Sequence, residues 1–123
     1  MRLMIFDDSN MIRTSISWVV QGGSLKNVAI VGLAKNGLEA VRIAKVARPD
    51  VITMELTMPE MDGTVSIAAL LKLDPDVNIL VVSALSDKST ATAALQLGAR
   101  GFVAKPFTVE KLQIALLDVS DLR

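Results

Sequence analysis

The chain contains neither cysteine nor histidine. These two absences exclude disulfides, thiol nucleophiles, imidazole bases and the usual zinc ligand sets. Any metal must be held by oxygen ligands, which favours Mg²⁺ or Ca²⁺. Aromatic residues are scarce: three phenylalanines, one tryptophan and no tyrosine. The formal net charge is zero, so the broad basic surface that nucleic acid or an anionic membrane would require is missing. Long hydrophobic runs are missing too. The opening MRLMIF runs straight into Asp7-Asp8, too short for a signal peptide or a membrane span. The expectation is a cytoplasmic protein with no nucleic-acid and no membrane partner.

What is present is a core. The chain has 123 residues, 51% of them hydrophobic, which is room for one domain over 1–123 and no second one. Short apolar runs rich in β-branched residues recur at Leu3–Phe6, Val28–Leu33, Val51–Met54, Ile79–Val82 and Phe102–Ala104. Unbroken apolar strands fit a parallel sheet covered on both faces. Between them lie segments of helical spacing. Asn10–Val20 opens after the N-cap candidate Ser9, and Leu38–Ala47 carries Glu39, Arg42, Lys45 and then Arg48 on a solvated stripe. Thr64–Leu73 follows Gly63, Asp87–Leu97 follows Ser86 and stops at Gly98, and a last helix begins near Thr108. Five strand–helix repeats imply right-handed crossovers and an α/β fold.

An open α/β sheet binds its ligand beyond the carboxyl ends of its strands. The first, third, fourth and fifth strands end in Asp7-Asp8, Glu55, Ser83 and Lys105. Three acids, a hydroxyl and a lysine are thus expected at one edge. Crowded carboxylates repel unless a cation joins them, and Mg²⁺ suits oxygen ligands while keeping several waters. Singly, each residue has an ordinary explanation: an acid pair caps a helix, and a lysine before a proline sits in a solvated loop. A glutamate ending an apolar strand is harder to dismiss, since buried charges are rare unless paired. The combination points to a site.

Four segments carry a resemblance: FDDS at Phe6–Ser9, ELTMPEMDG at Glu55–Gly63, VSAL at Val82–Leu85 and GFVAKPF at Gly101–Phe107. In this order and spacing the chain resembles, over essentially its whole length, the response regulator receiver domains of two-component signalling, especially the stand-alone chemotaxis type. The resemblance implies a flavodoxin-like doubly wound (βα)5 domain with strand order 2-1-3-4-5 and no output domain. It implies a regulatory phosphoacceptor, not an enzyme. A histidine kinase would supply the phosphoryl group, normally to an aspartate ending the third strand. Asp7 and Asp8 match the acid pair that organises Mg²⁺, with Asp8 as the direct ligand, and Thr57 matches the residue whose backbone carbonyl completes the metal set with the acceptor carboxylate. Ser83 matches the switching hydroxyl, Lys105 its lysine partner, Phe102 the aromatic switch, and Ala84 the small residue beside the phosphoryl group. Met58-Pro59 and Gly63 match the loop after the acceptor strand, and Pro106 matches a position that is commonly cis.

The departure is Glu55, which stands at the acceptor position. Its carboxylate sits one methylene farther into the pocket, and about 1 Å of misplacement costs reacting groups on the order of a hundredfold. Glu55 is therefore expected to accept phosphate poorly and to place its charge near Ser83 and Lys105. It is either an engineered imitation of the phosphorylated state or a natural variant. A glutamate brings one charge and planar oxygens, unlike a phosphorylated aspartate. The alternative is a pseudo-receiver that acts through its surface independently of phosphorylation.

The expected output face is the fourth helix, fifth strand and fifth helix, for a downstream target. The stretch STATAALQLG at Ser89–Gly98 carries no charge, as suits docking or self-association of a monomer or weak homodimer. Two other readings fit poorly. A phosphatase of the haloacid-dehalogenase type spaces its first two acids two residues apart, whereas Asp7 and Asp8 are adjacent. A flavin-binding module needs a phosphate-cradling loop where DDSNMIR stands, and aromatic residues to flank the ring.

Overall fold

Along β1 (Arg2–Phe6), Leu3 and Ile5 enter one apolar cluster while Met4 and Phe6 enter another. Successive strand side chains face opposite sides of a sheet, so a strand apolar at every buried position demands cover on both. The computed structural model describes residues 1–22, 25, 27–58, 61–84 and 88–120, and the cover is there. The strands β2 (Ala29–Ala34), β3 (Val51–Met54), β6 (Asn78–Ser83) and β7 (Gly101–Ala104) join β1 in a five-stranded sheet, ordered β2-β1-β3-β6-β7. All its pairings are parallel. Numbered by sheet strands alone this is 2-1-3-4-5, the doubly wound order expected. β3 is buried at all four positions, whereas the edge strand β2 is only half-buried.

The helices α1 (Asn10–Gln21) and α5 (Val109–Ser120) close one face through Ile16, Val20, Leu112, Leu116 and Val119. The other face is closed by α2 (Gly37–Ala47), α3 (Gly63–Leu73) and α4 (Lys88–Gln96), through Ala40, Ala44, Ile67, Leu70 and Ala94. Local signals set the helix ends. The Ser9 hydroxyl accepts from the Ile12 N–H at 3.3 Å, capping α1 as its sequence suggests. Gly98, with φ +113°, ends the turn after α4, and a Cβ there would stand 2.5 Å from Leu71 Cδ1. No helix among the described residues is long and apolar enough to cross a membrane.

One detail differs from the sequence expectation. The segment after β3 is not a plain loop: β4 (Thr57–Met58) pairs antiparallel with β5 (Met61–Asp62). Each strand is only two residues long, too short to leave a periodicity. The fourth helix is described from Lys88; its expected start, Ser86 and Asp87, and Pro59 lie outside the described residues.

One buried polar group is out of place. Thr53, 1% exposed in β3 between Ile5 and Leu80, has a hydroxyl without a hydrogen-bond partner among the described residues. An unpaired buried hydroxyl costs about 1–3 kcal/mol, so Thr53→Val should stabilise the fold by about 1 kcal/mol. Urea unfolding of the two chains checks this, with a higher midpoint expected for the variant.

Candidate functional site

Parallel pairing carries three site residues one rung beyond their strands. The Asp7 N–H donates to the Ala34 carbonyl at 3.0 Å, the Glu55 N–H to the Phe6 carbonyl at 3.2 Å, and the Lys105 N–H to the Ser83 carbonyl at 2.8 Å. Each backbone is thus pinned as firmly as a strand, while its side chain leaves the sheet edge. Lys105 then closes the group. Its Nζ donates to Asp7 Oδ2 at 2.8 Å and to Glu55 Oε1 at 3.1 Å. Asp7 and Glu55 are only 2% and 5% exposed. Burying one unpaired charge costs several kcal/mol, so the ammonium is what lets two carboxylates share this edge.

The remaining carboxylate oxygens are also engaged. Asp7 Oδ1 accepts from the Ser9 N–H and Glu55 Oε2 from the Leu56 N–H, both at 2.9 Å. Burial alone pulls the Lys105 ammonium towards lower pKa. The hydrogen bonds and charges of Asp7 and Glu55 outweigh that pull and raise it above the ordinary 10.5.

Asp8, next along the chain, is exposed, and among the described residues no group of three acidic side chains is gathered closely enough to hold a metal ion by itself. Of the three expected acids, Asp7 and Glu55 share the Lys105 ammonium. A third buried carboxylate would have added a charge with no compensating partner. The candidate donors, Asp7, Asp8, Glu55 and the Thr57 carbonyl, are all oxygens, the chemistry Mg²⁺ prefers. Thr57 lies opposite Asp62 in the hairpin. Ser83, fully buried, ends β6 and Ala84 is exposed. Phe102, opposite Val81, is half-buried against the α2–α3–α4 cluster. The Lys105–Pro106 peptide is cis.

Two participants escape sequence reasoning. The Leu56 N–H is backbone and leaves no signal. Arg13 donates to the Asp7 carbonyl at 2.6 Å. It is the only charged residue between Asp8 and Lys26, a signal that was available.

The family profile for the response regulator receiver domain matches residues 3–117. The chain belongs to this family. Among its relatives, the chemotaxis protein CheY of Listeria monocytogenes is 34% identical over 116 residues, covering 94% of this chain and 95% of the relative. The Thermotoga maritima CheY is 35% identical over 119 residues, 97% of each. The response regulator domain of Thermotoga maritima CheB superposes with a TM-score of 0.84 at 31% identity, covering 99% of this chain and 94% of that one. A chain of the CheX–CheY–BeF3–Mg²⁺ complex from Borrelia burgdorferi gives 0.88 at 26% identity, covering 96% and 87%. This is a CheY-like receiver of the two-component type.

The Lys105 bridge makes a signed prediction. Its pKa is raised on folding, so its contribution is fully present below about 10.5 and is lost as pH climbs through the folded value. Lys105→Met leaves two buried acids unpaired and should cost about 3 kcal/mol at neutral pH. Chemical denaturation from pH 7 to 12 should show that gap closing at the alkaline end.

Proposed function

We propose that this receiver switches the binding of a protein partner through the pocket at the ends of β1, β3, β6 and β7. The observation that carries the proposal is the Lys105 ammonium bound to both Asp7 and Glu55, which makes the acceptor position, Glu55, part of the charge network of the pocket. Asp7, Asp8, Glu55 and the Thr57 carbonyl are the proposed holders of Mg²⁺, which would supply positive charge to a phosphoryl group. Ser83, Lys105 and Phe102 are the proposed switch residues.

Glu55 changes how the switch is set. Its carboxylate already holds the Leu56 N–H and the Lys105 ammonium, so it offers a poorly placed and already engaged nucleophile. It stands in for a phosphorylated acceptor or makes one unnecessary. The first version keeps a sensor histidine kinase as the upstream partner of the aspartate form. The second is a pseudo-receiver, an interaction module independent of phosphorylation, and the contacts that both Glu55 oxygens already make support it. Neither version is an enzyme. The downstream target would dock on α4, β7 and α5, where Thr92, Ala93, Leu95 and Gln96 present an exposed, uncharged face.

Intact mass after incubation with acetyl phosphate and Mg²⁺ tests this, on the chain and on Glu55→Asp side by side. The variant should gain one phosphoryl group and the parent none. Phosphorylation of the parent would refute the geometric argument. If neither chain is modified, the phosphoacceptor pocket is refuted and the surface-only module stands.

A further inference from the structure

We propose that Arg13 is a positioning residue for the divalent-cation site of this receiver, acting through the peptide that joins Asp7 to Asp8. The proposal rests on Asp7 and Asp8 being the cation ligands. Every polar group of Asp7 is engaged: its N–H by Ala34, Oδ1 by Ser9, Oδ2 by Lys105 and its carbonyl by Arg13 Nη1 at 2.6 Å. The last contact differs from the others in kind. The Asp7 carbonyl belongs to the planar peptide unit whose other end is the Asp8 N–H and Cα. Fixing that oxygen restrains the plane, and with it the N–Cα bond from which the Asp8 side chain departs. Asp8 is exposed, so its direction comes from the backbone more than from packing around it.

Arg13 is itself held for this task. Its Nη2 reaches Asn10 Oδ1 at 3.4 Å, and its N–H donates to the Ser9 carbonyl at 3.0 Å. The guanidinium therefore sits on the first turn of α1, directly beside the acid pair. A planar fork of donors suits two acceptors at once, which a lysine cannot reproduce.

A positioning role and a mere charge nearby predict opposite signs. Removing a cation beside a cation site should tighten metal binding by Coulomb's law. Removing a group that orients a ligand loosens it, typically by 10- to 100-fold. Isothermal titration of Mg²⁺ into the full chain, Arg13→Ala, Arg13→Lys and Asp8→Asn decides between them. Arg13→Ala should weaken Mg²⁺ about tenfold, and Arg13→Lys, which keeps the charge but not the planar fork of donors, should recover part of the loss. In metal-free protein, the amide resonances of Asp8 and Ser9 should move in Arg13→Ala. Unchanged or tighter binding by Arg13→Ala overturns the proposal while leaving the ligand assignment intact, provided Asp8→Asn loses affinity. A parent that binds no Mg²⁺, or an Asp8→Asn that binds as well as the parent, overturns the ligand assignment and this proposal together.

Discussion

An ammonium between two buried carboxylates is the contact on which this pocket depends. β7 lies two strands from β3 and three from β1, and neighbouring strands stand roughly 4.8 Å apart. A short side chain on β7 would leave the two acids facing each other across the sheet edge. Lysine has the reach to cross, and its compact charge can serve two acceptors. The strand order and the ladder rungs at Asp7, Glu55 and Lys105 bring the three within hydrogen-bonding distance. Pairing offsets the cost of burying the acids, and the raised Lys105 pKa expresses the same balance seen from the cation.

Glu55 fits this network in a way that bears on its role. One oxygen meets Lys105 and the other turns back to the N–H of the next residue. The Glu55 side chain is thus accommodated inside the pocket, not expelled to water: it is 5% exposed. A carboxylate so placed supplies negative charge to the lysine without any group being transferred to it. The physical consequence is a pocket whose electrostatics are set by the chain's own side chains.

Much of this was legible in the sequence because it rests on strong local signals. The five apolar runs, the Ser9 cap and the Gly98 stop fall where the strands and helix ends lie, within a residue or so at the boundaries. Asp7, Glu55, Ser83 and Lys105 could be placed because the ends of apolar runs mark the ends of strands. What could not be read was direction. Asp7 and Asp8 are adjacent and chemically alike, yet one is buried against Lys105 and the other exposed. Only the tertiary position of Lys105 decides which. The β4–β5 hairpin was hidden because two-residue strands have no period, and the Leu56 contact because a backbone N–H has no sequence identity. Arg13 stands alone in charge along α1, the one sequence sign of its contact with the Asp7 carbonyl.

The most direct test of the account is nitrogen-detected NMR of the lysine ammonium groups in the parent, Asp7→Asn and Glu55→Gln. Lys105 should give an Nζ resonance protected from solvent exchange at neutral pH and shifted by each substitution separately. If no lysine resonance is protected, or if the protected one ignores Glu55→Gln, then Lys105 does not join the two acids and the account of the pocket is wrong.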